Sequence, residues 1–277
     1  MSLTCTLIQT KLIWEDAAAN RQVLEEKINS IHEKTEVVIL PEMFSTGFSM
    51  QPEKFAETMD GETVQWMKKI AASNKIILTG SLMIKEVASA LETAAADVYF
   101  NRLIWMLPTG EYGIYDKRHL FAYGDEQNHY SSGSKRLIAS VNGWKINLQV
   151  CYDLRFPVWA RQSTSHGARE DKTAPEYDVL IYVANWPERR IHAWKTLLCA
   201  RAIENQCYAV GVNRVGTDGN NIYHSGNSLV IDPLGEVLYH KADDEDTFTI
   251  TIERERLNEI RTKFPFWKDA DHFNISG

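Results

Sequence analysis

The stretch on which the reading of this chain turns is Leu148-Gln-Val-Cys-Tyr-Asp-Leu-Arg-Phe-Pro157. Trp144–Val150 reads as a strand, and it stops at Cys151. A helix is expected to begin within the next few residues. Such a strand-to-helix turn aims a thiol out of the sheet edge, close to helix-end N–H groups. Those groups lower a thiol's pKa from its reference of ~8.5 and can bind a developing oxyanion. Taken by itself, Cys151 reads better as a buried structural cysteine at a strand end. The catalytic reading therefore needs partners elsewhere in the chain.

Two other strand ends supply them. Glu42 follows four consecutive apolar residues in Val37-Val-Ile-Leu-Pro-Glu-Met-Phe44. An acid there stands at the mouth of a buried strand, where layered α/β folds present catalytic groups. Partial burial would raise its pKa and let it serve as a base toward a thiol or a water. The plainer alternative is an acid that turns the chain into solvent. Lys117 follows a short apolar strand in Tyr112-Gly-Ile-Tyr-Asp-Lys-Arg-His-Leu-Phe121. A lysine there is ordinarily solvated, but beside a carboxylate and a thiolate it becomes a fixed cation for the oxygen of a tetrahedral intermediate.

The rest of the chain alternates strand-like and helix-like stretches. Leu3–Thr10 reads as a strand, and Asp16–Lys34 as a helix capped by Asp16, with Val23, Leu24, Ile28 and Ile31 on one face. Gly61–Ser73 suggests a helix, Lys75–Ile84 and Asp97–Leu107 strands, and Pro108-Thr-Gly-Glu111 a turn. The second half repeats the rhythm with a strand at Asp178–Ala184, a helix at Glu188–Asn205 and a strand at Cys207–Asn213. A hairpin is expected at Ser228–Asp232 and Glu236–His240, then a strand at Thr247–Ile252 and a helix at Glu253–Thr262. Strands outnumber helices and fall into two similar halves, so two sheets with helices packed outside are expected. No Pro-, Gly- or Ser-rich linker divides the chain, which favours a single domain over 1–277. An aromatic tail from about residue 262, Phe264-Pro-Phe-Trp267, should dock on its own domain or a partner subunit. Glu86–Ala96 and Gln162–Glu176 read as surface excursions.

Each catalytic piece is ambiguous alone, but their order along the chain is not. Pro-Glu-Met after a strand, then Asp-Lys-Arg-His-Leu, then Cys-Tyr-Asp-Leu-Arg-Phe-Pro resembles the nitrilase, or carbon-nitrogen hydrolase, superfamily. Val183-Ala-Asn-Trp-Pro-Glu-Arg-Arg190, Ala200-Arg-Ala-Ile-Glu-Asn205, Gly211-Val-Asn-Arg214 and Ser225-Gly-Asn-Ser228 extend the resemblance over nearly the whole chain. It implies an α/β fold, a four-layer α-β-β-α sandwich of two mixed sheets, commonly paired into homodimers or higher homo-oligomers. By motif position it implies Glu42 as general base, Lys117 as oxyanion stabiliser and Cys151 as nucleophile. The family's second glutamate is best matched by Glu126, in Tyr123-Gly-Asp-Glu-Gln127, with Asp125 adjacent. Within the superfamily the motifs are most similar to the omega-amidase branch. That branch hydrolyses the terminal amide of 2-oxo dicarboxylic acid monoamides such as 2-oxoglutaramate and 2-oxosuccinamate. The implied cycle runs through a cysteine thioester, with the Tyr152 backbone N–H as second oxyanion donor.

Such a substrate is a small anionic amide in a partly desolvated pocket, so a cation or several donors must meet its carboxylate. Arg155, Arg189 and Arg190 are candidates, with Trp186 as a wall. Arg155 could instead pair with Asp153 or a carbonyl, and Arg189 and Arg190 could cap or solvate a helix start. Other carbon-nitrogen hydrolase activities (aliphatic amidase, carbamoylase or nitrilase) and an idle scaffold are the competing readings.

Bulk properties exclude several classes. A net charge of −7 over 277 residues argues against a nucleic-acid partner. Cys5, Cys199 and Cys207 lack CxxC spacing and read as reduced apolar residues. Eight histidines show no metal-ligand spacing, so no metal or cofactor is implied, and His119 and His192 read as hydrogen-bonded or surface groups. Gly211–Gly216 lacks the spacing and lysine of a phosphate loop, and no Gly-x-Ser-x-Gly elbow occurs. The N-terminus has no basic and apolar regions of a signal peptide, and no apolar run approaches the ~20 residues of a membrane span. The chain reads as cytoplasmic.

Overall fold

The computed structural model describes residues 1–87, 97–162, 175–271, 273 and 275. The greater part of both expected excursions, 88–96 and 163–174, lies outside the described residues. In chain order the first half runs β1 (Ser2–Gln9), α1 (Ala17–Asn29), β2 (Val37–Ile39), α2 (Pro52–Phe55), α3 (Glu62–Asn74), β3 (Ile77–Val87), β4 (Asp97–Met106) and β5 (Tyr112–Asp116). The second half runs β6 (Leu137–Val141), β7 (Trp144–Val150), α4 (Pro157–Ala160), β8 (Val179–Ala184), α5 (Ile191–Asn205), β9 (Tyr208–Asn213), β10 (Val215–Thr217) and β11 (Tyr223–Ile231). It closes with β12 (Val237–Ala242), β13 (Asp246–Glu253) and α6 (Arg254–Lys263).

One sheet has six strands in the order β13-β1-β2-β3-β4-β5, the other seven in the order β10-β11-β9-β8-β7-β6 with β12 also on β11. Both sheets are mixed: β1, β2 and β3 are parallel, as are β7, β8 and β9, and antiparallel strands flank each set. β13 is the last strand in the chain, yet it completes the first sheet, pairing Ser2 with Glu253 through to Gln9 with Asp246. The chain is thereby closed on itself.

Alternation along the strands sorts side chains between layers. In and just after β2, Val37 and Ile39 enter the layer between the sheets, while Val38 and Leu40 face Leu24 and Ile28 of α1 and Val64, Met67 and Ile70 of α3. β4 does the same, with Leu103 and Trp105 on the inter-sheet side and Ile104 and Met106 toward the helices. The second sheet is covered by α5, whose Trp194, Leu198 and Ala202 join the same core as Val210 and Leu229. This is the four-layer α-β-β-α sandwich with mixed sheets. Gly211 matters to it, because a Cβ there would stand 2.5 Å from Leu198 Cδ1 and 2.7 Å from Trp194 Cζ2.

Local signals explain most boundaries. Asp16 caps α1 by accepting from the Ala19 N–H at 3.0 Å, and Leu24 and Ile28 are buried while Val23 and Ile31 are only partly so. Helix α1 stops at Asn29 rather than running to Lys34. The stretch expected as one helix from Glu188 begins as a 3₁₀ turn, Glu188–Arg190, before α5. The periodicity reading missed β6. Its signal is the Asn142-Gly143 pair, whose φ values of 47° and 78° make the tight turn into β7. The tail lies against its own chain: Gln206 Nε2 donates to the Phe264 carbonyl at 2.6 Å, and the Trp267 N–H donates to Gln206 Oε1 at 3.0 Å. Among the described residues no helix is long and apolar enough to cross a membrane.

Candidate active site

The carboxyl ends of the parallel strands converge on one cavity of about 680 Å³. Glu42 follows β2, Cys151 follows β7, Asn185 follows β8, and Lys117 follows β5; all four line the cavity. Open α/β sheets gather ligands at this end because backbone groups and side chains there are not consumed by the ladder.

Glu42 is fully buried and held by three hydrogen bonds to its carboxylate. Its Oε1 accepts from Lys117 Nζ at 3.0 Å and Asn101 Nδ2 at 2.8 Å, and its Oε2 accepts from the Asn185 N–H at 2.8 Å. Asn185 Nδ2 also donates to the Glu42 carbonyl. Lys117 Nζ is held from the other side by Glu126, at 2.8 Å from Oε2 and 3.1 Å from Oε1. Asn101 Nδ2 reaches Glu126 Oε1 at 3.1 Å, and the Asn101 carbonyl accepts the Lys117 N–H at 3.0 Å. Burial alone would discharge this ammonium, but Glu126 and then Glu42 hold its pKa well above the usual lysine range. Lys117 is a permanent cation.

Cys151 shares the cavity lining with Glu42, whose charge acts on its thiol, and has φ of +45°. A non-glycine residue in that region is strained, and Met43, directly after Glu42, has φ of +44°. The expected helix after Cys151 is a 3₁₀ turn, Cys151–Arg155, followed by the single turn of α4. The thiol pKa is not lowered, as a helix end would do. Burial pushes it well above its ordinary value and the Glu42 charge adds to that, with Lys117 opposing. At rest the sulfur keeps its proton.

The turn is pinned by Asp153, which is fully buried. Its Oδ2 accepts from Tyr115 Oη at 2.7 Å and the Val150 N–H at 3.1 Å; its Oδ1 takes the His119 N–H at 2.9 Å and lies 2.8 Å from His119 Nδ1. Trp159 Nε1 donates to the same Tyr115 hydroxyl at 2.9 Å, and His119 stacks on Phe156 at 3.8 Å. The lysine loop and the cysteine turn are therefore one hydrogen-bonded unit. Asp153 does not pair with Arg155, whose guanidinium instead lies over the Trp186 ring at 5.1 Å.

Tyr152, Arg155, Trp186, Arg189 and Arg190 all line the cavity, while Glu126 stands behind Lys117 and outside the lining. Phe48 faces Lys117 Nζ at 5.2 Å. Among the described residues no cluster of three or more His, Cys, Asp or Glu could hold a metal ion.

The carbon-nitrogen hydrolase family profile matches residues 4–262. The chain belongs to the carbon-nitrogen hydrolase family. It is 41% identical over 275 residues to the omega-amidase YafV of Escherichia coli (strain K12), covering 99% of this chain and 98% of that one. It is 31% identical over 271 residues to the 2-oxoglutaramate amidase of Bacillus subtilis (strain 168), covering 97% and 98%. A CN-hydrolase superfamily protein from Xanthomonas campestris, solved with an arsenic adduct in its active site, superposes with a TM-score of 0.92 at 40% identity, covering 100% of both chains.

Within this carbon-nitrogen hydrolase fold, the sequence reading overlooked Asn101, Asp153 and the donor role of Asn185. Asn101 carried a usable signal, since a lone amide between Phe100 and the apolar run Leu103–Met106 must find partners when buried. The far wall, Asp218, Asn220, Tyr223 and His224, was also missed. It comes from the connection between β10 and β11 and the first residues of β11, with no local mark of proximity to Cys151.

Proposed function

We propose that this chain is an omega-amidase that hydrolyses the terminal amide of 2-oxo dicarboxylic acid monoamides, with Glu42, Lys117 and Cys151 as its catalytic triad. The observation that carries the activity is near-full-length similarity to an omega-amidase and a 2-oxoglutaramate amidase, at 41% and 31% identity. What supports the triad is the placement of a neutral thiol, a carboxylate and a permanent ammonium on one cavity wall.

Glu42 takes the Cys151 proton as sulfur attacks the amide carbon. The negative charge that develops on the carbonyl oxygen is met by Lys117 and the Tyr152 N–H. Of the three ammonium donations, the longer one to Glu126, at 3.1 Å, is the one that shifts to the developing oxyanion. The C–N bond then breaks, Glu42 returns its proton to the departing ammonia, and an acyl thioester to Cys151 remains. Water, deprotonated by Glu42, attacks the thioester; the C–S bond breaks, the thiol recovers its proton, and the carboxylic acid leaves. Glu126 touches no reacting atom in this scheme; it positions Lys117. Tyr152, Trp186 and the cavity arginines contact the remainder of the substrate.

The test is ammonia release from 2-oxoglutaramate, 2-oxosuccinamate, simple aliphatic amides, carbamoyl amino acids and nitriles, by wild type and Cys151→Ala together. Preferential turnover of the 2-oxo monoamides, abolished in the variant, is expected. A preference for any other panel member would replace the substrate reading, and a fully active Cys151→Ala would sink the mechanism.

The core continuous across both sheets supports action as one domain. The exposed apolar residues Ile203, Leu234, Val237 and Leu238 support pairing into a homodimer. Light scattering giving the mass of a single chain would refute that pairing.

A further inference from the structure

Four cations line the cavity: Lys117, Arg155, Arg189 and Arg190. Lys117 is already met by Glu42 and Glu126. Arg189 is exposed at the rim, and Arg155 is spread over Trp186. Arg190 differs from all three. It is half-buried, and its guanidinium lies over the rings of Phe121 at 5.1 Å and Tyr123 at 5.8 Å. Aromatic faces orient a guanidinium without using its N–H donors. Its largest charged neighbours are Cys151, Arg155, Tyr123 and Arg189, and among the described residues no carboxylate forms an ion pair with it. Burial first, then the neighbouring arginines, depress its pKa below the usual arginine range, the mark of a cation in a positive, partly dry setting. Besides Glu42, which is held by Lys117, Asn101 and Asn185, two acids line the cavity: Glu188 is exposed, and Asp218 Oδ1 is engaged by the Asn220 and Ile222 N–H groups at 2.8 and 3.0 Å.

Arg190 is also tied to the triad from two directions. The Phe121 N–H donates to Glu126 Oε2 at 2.6 Å, so the ring under Arg190 is fixed by the carboxylate that holds Lys117. The Arg190 carbonyl accepts from Trp186 Nε1 at 2.8 Å, and Trp186 follows Asn185, whose N–H donates to Glu42. The spacing between Arg190 and the Glu42–Lys117 centre is thus set by short covalent and hydrogen-bonded paths. A rigid spacing of that kind measures the length of a substrate.

We propose that Arg190 is the specificity residue that receives the carboxylate of the anionic amide, selecting both its charge and its chain length. This rests on the omega-amidase reading. A bidentate guanidinium–carboxylate pair in this setting recovers the cost of keeping Arg190 without a counter-ion.

The experiment measures kcat/KM for 2-oxoglutaramate and for pentanamide, a neutral amide of the same length, in wild type, Arg190→Gln and Arg190→Lys. Calorimetric titration of both ligands into Cys151→Ala, with and without Arg190→Gln, gives the binding readout apart from turnover. Arg190→Gln should lower the ratio of the two kcat/KM values, and of the two affinities, by roughly 10- to 100-fold, the range of a charge-assisted hydrogen bond. Arg190→Lys should restore part of it. Were the wild type to prefer 2-oxoglutaramate and Arg190→Gln to keep that preference, Arg190 would be the wrong residue and the omega-amidase reading would stand. Equal loss for both ligands would make Arg190 structural and overturn the proposal. A wild type that shows no preference for the anion removes the reading and the proposal together.

Discussion

Glu42 acts on Cys151 in two opposing ways, and they can be separated. Its charge helps hold the thiol protonated at rest, yet in the proposed cycle it is the base that removes that proton. Glu42→Gln should therefore lower turnover by ~10²–10⁴, the usual worth of a positioned general base. The same change removes a negative neighbour and leaves Lys117, so the resting thiol pKa should fall. Alkylation of Cys151 by iodoacetamide, followed against pH, should have its midpoint at lower pH in the variant than in wild type. Faster labelling with slower catalysis is the signature; a variant that kept native turnover would remove Glu42 from the mechanism.

At the level of elements, the site depends on two loops held as one. Asp153 accepts from Tyr115, Val150 and His119, so it ties the end of β5 to the turn after β7. In Asp153→Asn one oxygen becomes an NH₂ facing existing donors, and each acceptor lost from a buried group costs roughly 1–3 kcal/mol. A lower urea midpoint and a lower kcat are both expected, since the strained φ at Cys151 persists only while its surroundings enforce it. Unchanged values of both would mean that the clamp is not needed. The strands that carry Glu42 and Cys151 were legible because Val37–Leu40 is an apolar run closed by Pro41 and Trp144–Val150 places apolar residues at every second position. The turn after Cys151 was not, because a 3₁₀ turn has too few residues to show a period.

At the scale of the whole molecule, stability carries a pH dependence set by His224, buried beside Arg214 on the cavity wall. Burial, then the Arg214 charge, lowers its pKa from 6.5 to about 4. Below pH ~6.5 the unfolded chain binds a proton that the folded protein refuses. Its contribution is therefore complete above that pH and is lost as pH falls toward about 4, up to ~3 kcal/mol in all. Denaturation at pH 7 and pH 5 should show a smaller loss in His224→Gln than in wild type; equal losses would place the titration elsewhere. His224 reaches this setting because the pairing of β11 with β10, Gly216 opposite His224, sets it against the cavity, which no local pattern announces. The sequence by itself determined the layered fold, since apolar periodicity is a local property of the chain, and it singled out Glu42, Lys117 and Cys151 as candidates through the order of three strand-end motifs that resemble one family. Tertiary structure alone decided that Asn101 would bridge two carboxylates, that the thiol would be protonated rather than activated, and that Arg190 would be the cavity arginine lying over two aromatic rings. Burial, charge neighbours and donor distances arise between residues far apart in the chain, and only the packed strands bring them together.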